Sequence, residues 1–234
     1  MSRSGLILVS LIGPLLLSER GLPHGGQTGE VTDFREVSFP TSDGGRVFAS
    51  LYGDGDHAVV LAHGAVFNKE SWGDQSVLLM KKGFRVLAID FRGYGKSQTG
   101  SRKNARHLDV LAAVRYLHDQ GAKRVSVVGA SMGGGAAAQA AVESRESEID
   151  RLILLAHSPI QRPRDIKGSK LFIVSNGDRL SQTVKQQFEA ASKPKKLVVL
   201  EGKAHAQYIF RTDRADELSE HIVGWLKGNQ PERR

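Results

Sequence analysis

Short apolar runs alternate with segments of helical spacing along most of the chain. Six runs rich in Val, Ile and Leu are typical of strands buried on both faces of a sheet, at residues 58–62, 84–89, 124–128, 152–156, 171–175 and 197–200. Two earlier runs, at residues 37–39 and 47–51, flank a Ser-Asp-Gly-Gly turn and predict a hairpin. The pattern therefore predicts about eight strands.

Amphipathic spacing predicts a helix in most of the gaps between these strands. Apolar residues recur at intervals of three and four over residues 72–82, 105–120, 132–144, 182–192 and 214–227. Sustained strand–helix alternation requires right-handed crossovers and predicts an α/β fold with a mostly parallel, doubly wound sheet. Helices then cover both faces, and ligands bind beyond the carboxyl ends of the strands.

The composition is that of an ordinary globular domain. Of the 234 residues, 40% are hydrophobic and 25% are charged, so the core needs no disulfide or metal. The lack of cysteine in the sequence excludes a disulfide framework, a thiolate metal site and a cysteine nucleophile. The net charge of +8 is scattered along the chain instead of gathered among aromatic residues, so we predict no nucleic-acid partner.

Residues 1–30 differ in composition from the rest of the chain. An apolar stretch at residues 6–17 has the length of a signal-peptide core and is too short to span a membrane, and a glycine-rich run at 21–29 is typical of a linker. We predict a signal peptide or anchor and an exported protein (periplasmic, secreted or anchored), with membrane contact only through this segment if it is uncleaved. Because no small-residue cleavage site follows, a cytoplasmic protein with a disordered tail is the alternative.

The strongest chemical signal is Gly129-Ala130-Ser131-Met132-Gly133, between a predicted buried strand and an alanine-rich helix. This is the pattern of a nucleophile elbow, a turn so tight that the positions two residues before and after the serine must be glycine. The serine then sits at the positive end of the helix. A dinucleotide-binding loop is the alternative, but that loop follows the first strand, and this turn comes after about five.

A serine nucleophile needs a base and a group that orients the base. Asp178 follows the strand predicted at 171–175, and His205 lies in the loop after the strand at 197–200. Taken alone, Asp178 is also explained as an ordinary turn aspartate, and His205 as a histidine of a surface loop. In the chain order serine, acid, histidine, behind an elbow, they predict a proton relay.

The strand at 58–62 leads into His63-Gly64-Ala65-Val66. We predict an oxyanion hole formed by the backbone N–H groups of Ala65 and Met132, the residue after the nucleophile. His63 is expected to brace the loop through hydrogen bonds.

Together with Asp90-Phe91-Arg92-Gly93-Tyr94-Gly95-Lys96-Ser97, these motifs make residues 31–227 resemble an α/β-hydrolase-fold protein. The domain is predicted over residues 31–228, with a frayed tail at 229–234. The resemblance implies a Ser–Asp–His serine hydrolase of the uncapped esterase, dienelactone-hydrolase-like or serine-peptidase-like branch, and gives the turn that begins at Asp90 a structural role.

One departure from the family concerns the acid. Family members often carry Gly-x-x-Asp, whereas Gly177 immediately precedes Asp178 here. Two other carboxylates are candidates, but Asp150 starts a strand at the wrong edge of the sheet and Asp213 suits the N-cap of the last helix.

The predicted strands at 152–156 and 171–175 are separated by too few residues for a helical cap. We therefore expect an open, shallow site that admits small-molecule or exposed esters. Trp72 is expected to form an apolar wall, and His157 and Tyr208 to contact substrate. A structural role is the alternative for Trp72 and His157.

The predicted function is cleavage of carboxylic esters through an acyl-enzyme. No cofactor and no metal are predicted, since the sequence carries no His-x-x-x-His motif or carboxylate cluster. A peptidase, a thioesterase and a non-catalytic binding protein of the same fold are the alternatives. The sequence does not set the oligomeric state.

Overall fold

The computed structural model describes residues 34–228, together with Met1. The predicted signal peptide or anchor, the linker and the tail at 229–234 lie outside the described residues. The strands are β1 (Phe34–Pro40), β2 (Arg46–Tyr52), β3 (His57–Ala62), β4 (Arg85–Ile89), β5 (Arg124–Ala130), β6 (Arg151–Leu155), β7 (Ser169–Ser175) and β8 (Lys195–Leu200). The α-helices are α1 (Gly73–Lys81), α2 (Arg106–Asp119), α3 (Met132–Glu143), α4 (Ser181–Ala190) and α5 (Ala215–Lys227), with 3₁₀ turns at Lys69–Trp72, Pro163–Asp165 and Ala206–Arg211.

The eight described strands form one sheet in the order β1-β2-β4-β3-β5-β6-β7-β8. The hairpin β1–β2 joins the sheet antiparallel to β4, and the pairs from β4 to β8 are all parallel. Every residue of β3 is buried. Because successive side chains of a strand point to opposite faces, this burial shows that both faces are covered.

The chain between β6 and β7 is short. Residues 156–168 contain the 3₁₀ turn Pro163–Asp165 and no longer helix. No cap covers the carboxyl edge from this position, as the sequence predicted. Within residues 34–228, no helix is both long and apolar enough to cross a membrane.

The turn after β4 is stabilised by hydrogen bonds of two buried side chains. The carboxylate of Asp90 is fully buried and accepts hydrogen bonds from the Lys69 backbone N–H at 2.9 Å and from Lys69 Nζ at 3.0 Å. The Ser97 hydroxyl donates to the Asp90 carbonyl at 2.8 Å and accepts from the Phe48 N–H at 2.9 Å. These contacts tie the turn to its neighbours and give both side chains a structural role.

A second buried network joins the β1–β2 turn to α2. The Arg92 guanidinium binds Asp43 through two hydrogen bonds of 2.8 and 3.1 Å. On its other side it binds Asp109 of α2, with Nη2 2.7 Å from Oδ1. All three side chains are at most 5% exposed. The Arg92 guanidinium holds the pKa of the Asp43 carboxyl well below its usual range.

Candidate active site

Ser131 lies in the sharp turn between β5 and α3. Its backbone adopts φ 49° and ψ −113°, a conformation that non-glycine residues seldom take and that is associated with functional sites. A Cβ atom at Gly129 would lie 2.5 Å from the Gly133 carbonyl oxygen, and one at Gly133 would lie 2.3 Å from the Ala62 carbonyl oxygen. Both neighbours therefore have to be glycine, which is the close packing expected of an elbow.

The three predicted catalytic side chains converge at the carboxyl edge of the sheet. His205 Nε2 lies 2.8 Å from Ser131 Oγ, and His205 Nδ1 lies 2.7 Å from Asp178 Oδ2. Since a carboxylate only accepts, Nδ1 carries the proton and Nε2 is free to accept from the serine hydroxyl. The Asp178 side chain is fully buried, whereas that of His205 is 25% exposed. This arrangement allows the imidazole to take a proton from Ser131 and return it to a substrate.

The loop after β7 places the acid despite its unusual Gly-Asp sequence. The Leu180 N–H donates to Asp178 Oδ1 at 2.8 Å, which leaves Oδ2 directed at the imidazole. Asp150 lies beside Arg151 at the opposite edge of the sheet, and Asp213 is 82% exposed. Asp178 is thus the candidate acid that the fold brings to His205.

Both segments that carry the predicted oxyanion donors lie next to Ser131. Met132 begins α3, so its N–H is among the first amides of the helix, which have no intrahelical partner. A Cβ atom at Gly64 would lie 3.6 Å from Ser131 Cβ, so the loop that contains Ala65 runs beside the nucleophile. His63 braces this loop: its Nδ1–H donates to the Gly64 carbonyl at 2.8 Å. Burial lowers the pKa of His63, and its Nε2 accepts from the Phe91 N–H at 3.3 Å.

The expectation that Trp72 forms a wall of the site is wrong. Its side chain is 1% exposed and packs edge-on against Phe210, with ring centroids 5.9 Å apart. The ring also faces Leu61 and Ile222, so it belongs to the core between the sheet and α5. An apolar residue that begins a helix is as easily a core residue as a rim residue, and spacing along the chain cannot separate the two.

His157 is also buried and does not reach a substrate surface. It is fully inaccessible, its Nδ1–H donates to the Ser158 carbonyl at 3.0 Å, and its ring lies against Phe172 with centroids 5.5 Å apart. Burial lowers the pKa of His157 to about 4. Of the two roles the sequence left open, the structural one applies.

Tyr208 is 41% exposed and lies three residues after His205. Its ring is 5.0 Å from that of Phe67, and the Arg211 guanidinium lies over both rings. Val66, next to Phe67, is 75% exposed. Together these side chains form an apolar rim with one cation. Tyr208 thus stays a candidate for substrate contact.

Two open cavities bear on where a substrate binds. One of about 520 Å³ borders the triad and is lined by His205, Tyr208 and Lys203. A larger one of about 670 Å³ is lined by Lys123, Lys170 and other residues at the opposite edge of the sheet. His205 is the one member of the triad in the lining of the first cavity, and the second is lined by none of the three. Among the described residues, no group of three or more His, Asp or Glu is placed to hold a metal ion.

Sequence reasoning missed Tyr94 and Gln207, which contact the loop at residues 63–66. The Tyr94 hydroxyl donates to the Ala65 carbonyl at 2.9 Å, and Gln207 Oε1 accepts from the Gly64 N–H at 2.8 Å. Gln207 lies only two residues from His205, and that proximity is the signal that could have found it.

Known proteins resemble this chain in sequence. The profile of the alpha/beta hydrolase fold matches residues 57–171. The chain is 34% identical over 123 residues to a bifunctional esterase/perhydrolase of Acinetobacter calcoaceticus, covering 51% of this chain and 44% of that protein. It is 30% identical over 155 residues to a non-heme chloroperoxidase of Streptomyces lividans, covering 64% and 52%. The chain spans about half the length of these curated relatives.

Solved structures resemble the fold over most of both chains. An esterase of Pyrococcus furiosus superposes with a TM-score of 0.73 at 21% identity, covering 90% of this chain and 98% of that one. An esterase from Exiguobacterium antarcticum gives 0.69 at 18% identity, covering 82% and 100%. This likeness, the sheet order and the matching profile show that the chain has the α/β-hydrolase fold. The predicted fold class is confirmed.

Proposed function

We propose that this protein is a serine hydrolase that cleaves carboxylic esters through an acyl-enzyme. The observation that carries the proposal is the pair of hydrogen bonds that joins Asp178 to His205 and His205 to Ser131. Esterases among the structural and sequence relatives support the same class of reaction.

The acylation step uses each member of the triad once. His205 Nε2 takes the Ser131 proton as Oγ attacks the ester carbonyl, and the Nδ1–H bond to Asp178 stabilises the resulting imidazolium. The backbone N–H groups of Ala65 and Met132 receive the negative charge that develops on the carbonyl oxygen. The imidazolium then protonates the departing alcohol as the ester C–O bond breaks.

Deacylation repeats the sequence with water as the nucleophile. His205 removes a proton from water, the hydroxide oxygen attacks the acyl carbon, and the proton returns to Ser131 Oγ as the acid leaves. The lack of a helical cap in residues 156–168, between β6 and β7, supports esters with a bulky or exposed acyl or alcohol group.

Perhydrolysis is a second candidate, since one relative is a bifunctional esterase/perhydrolase. In that reaction hydrogen peroxide replaces water. A peroxide oxygen attacks the acyl carbon as His205 takes its proton, and the imidazolium returns the proton to Ser131 Oγ as the acyl C–O bond breaks and the peracid leaves. The peracid oxidises bromide to hypobromite, so bromination of monochlorodimedone in a mixture of a carboxylic ester, hydrogen peroxide and bromide would detect this activity. Thioesterase and peptidase activities use the same triad and belong in the same substrate panel.

The decisive experiment is labelling with a fluorophosphonate probe beside hydrolysis of p-nitrophenyl esters, with Ser131→Ala as the blank. We expect labelling and burst release in the wild-type protein and neither in the variant. A folded wild-type protein that takes up no label and cleaves no ester or thioester would instead indicate a non-catalytic binding protein of this fold.

A further inference from the structure

Three successive peptide groups of the loop at residues 63–66, here the oxyanion loop, are each anchored separately. The Gly64 N–H donates to Gln207 Oε1 at 2.8 Å. The Gly64 carbonyl accepts from His63 Nδ1–H at 2.8 Å and from the Phe67 N–H at 3.1 Å. The Ala65 carbonyl accepts from the Tyr94 hydroxyl at 2.9 Å.

These anchors set the direction of the Ala65 N–H. In a planar trans peptide the C=O and the N–H point in opposite directions. Because the Gly64 carbonyl is held by two donors, the Ala65 N–H of the same peptide faces away from them. In the part of the chain that the structure describes, no protein acceptor is found for it. A preorganised donor of this kind is what an oxyanion needs.

Among these anchors, Gln207 belongs to the segment that follows the catalytic base His205. It is 4% exposed and lies in the 3₁₀ turn Ala206–Arg211, directly after His205. Its Oε1 accepts from Gly64, and its Nε2 donates to Ser71 Oγ at 2.9 Å. One buried amide therefore connects the segment that carries the base with the oxyanion loop.

We propose that Gln207 is a positioning residue that fixes the oxyanion loop relative to His205. The inference rests on the proposed function and adds to it a group that touches neither the substrate nor Ser131. Without the Gln207 amide, the buried Gly64 N–H loses its acceptor and its peptide can rotate, which carries the adjoining Ala65 N–H with it. Small misplacements of catalytic groups lower the rate without removing any of them.

The test compares Gln207→Met, which keeps the volume and removes the acceptor of the Gly64 N–H, with Ser71→Ala. The serine variant removes the partner of Nε2 and the hydroxyl's own bond to the Asn68 carbonyl, and it keeps the Gly64 acceptor. Turnover of a p-nitrophenyl ester is expressed per active serine, counted by end-point titration with a fluorophosphonate. We expect kcat of Gln207→Met to fall about tenfold to a hundredfold, with KM within about twofold of wild type. This loss is smaller than the fall in rate of about 10²–10³ that follows removal of an oxyanion-hole donor. Ser71→Ala should stay within about threefold of wild type.

The second measurement is the Ki of a trifluoromethyl ketone, which would not change if Gln207 had a purely structural role. The ketone adds to the serine as a tetrahedral adduct whose oxygen occupies the oxyanion hole, so its Ki should rise in Gln207→Met by the same factor as kcat/KM falls. If kcat per active serine and Ki match wild type, the proposal is overturned. Gln207→Leu repeats the measurement with another shape, and failure of both variants to fold would assign Gln207 to stability and overturn the proposal as well.

The two levels of inference fail separately. An inactive, unlabelled wild-type protein contradicts the proposed function. An active wild-type protein whose Gln207→Met variant is equally active contradicts only the role of Gln207.

Discussion

At the scale of the residue, the candidate chemistry depends on where protons sit. The carboxylate of Asp178 fixes the proton of His205 on Nδ1, which leaves Nε2 as an acceptor toward Ser131. A neutral amide at position 178 can donate to the imidazole instead and so favour the other tautomer, in which Nε2 holds the proton. The carboxylate therefore decides whether the imidazole can act as a base.

Replacing Asp178 with Asn should lower kcat for ester hydrolysis by about 10⁴, by the tautomer argument established for serine proteases. Folding should be nearly unaffected, since the amide can still accept from the Leu180 N–H. Steady-state kinetics on a p-nitrophenyl ester measures the change. The matched control is Asp213→Asn, the exposed carboxylate that the sequence offered as an alternative acid, which should retain wild-type turnover. Equal activity of the two variants would contradict the assignment of the acid.

Much of the site could be predicted at this scale. The elbow, Asp178 and His205 were identified because short-range sequence sets each at a strand end, and parallel strands bring their carboxyl ends to one edge. Trp72 and His157 were each given both a site role and a structural role, because a local pattern does not reveal which side of an element packs inward. Gln207 was missed because its partner Gly64 is 143 positions away in the chain. Its proximity to His205 could have drawn attention to it, but does not reveal that long-range contact.

At the scale of the element, the junction of β5 and α3 is limited by space. The helix begins so close to the end of β3 that a Cβ atom at Gly133 would lie 2.3 Å from the Ala62 carbonyl and 2.6 Å from that of His63. The same glycine contacts the segment that leads into the oxyanion loop. Packing here therefore affects both stability and the position of the loop.

Gly133→Ala should lower the free energy of unfolding by about 1–3 kcal/mol, the usual cost of overpacking, and should reduce turnover as well. The control is Gly224→Ala in α5, where a Cβ atom meets nothing within 4 Å; alanine there should raise the free energy of unfolding by about 0.5–1 kcal/mol. Urea denaturation measures both. A Gly133→Ala protein as stable and active as wild type would show that the junction can relax.

The hairpin turn and α2 are joined through Arg92. Asp43→Asn should lower the free energy of unfolding by about 1.5–3 kcal/mol, the range for hydrogen bonds to charged groups. Because the pKa of Asp43 is held below its usual range, this contribution is present above about pH 4 and is lost as the pH falls further. Urea denaturation at several pH values tests it. Asp56→Asn, which breaks an exposed pair with Lys123, should be indistinguishable from wild type.

Most elements were predicted to within a few residues, because strands buried on both faces read as continuous apolar runs. The 3₁₀ turn Ala206–Arg211 was not predicted. It is short, and it contains buried Ala206 at φ 50°, a conformation imposed by tertiary packing that residue preferences do not encode.

At the scale of the whole molecule, buried neutral histidines make stability depend on pH. Burial lowers the pKa of His57 and of His157 to about 4. The unfolded chain takes up a proton at each near pH 6.5, whereas the folded protein does so only near pH 4. The unfolded state therefore binds more protons between these values, and the free energy of unfolding falls as the pH is lowered from 6.5 toward 4.

His157→Gln removes the titration of one of these histidines. The glutamine amide can still donate to the Ser158 carbonyl, so the hydrogen bond is kept. The variant should be less stable than wild type at pH 7, and the difference should narrow by about 2 kcal/mol at pH 5 because glutamine does not titrate. Chemical denaturation at both pH values gives the comparison. A difference that stays constant between pH 7 and pH 5 would mean that His157 is protonated equally in both states.

The uncapped carboxyl edge has a kinetic consequence. Where a lid must open before product leaves, the motion of the lid often limits turnover. A higher solvent viscosity then lowers kcat. Residues 156–168, between β6 and β7, hold no helical cap that would have to move in that way, so acylation and deacylation should limit turnover. Added sucrose or glycerol should leave kcat for a slow ester unchanged, and a kcat that falls in proportion to viscosity would reveal a moving gate.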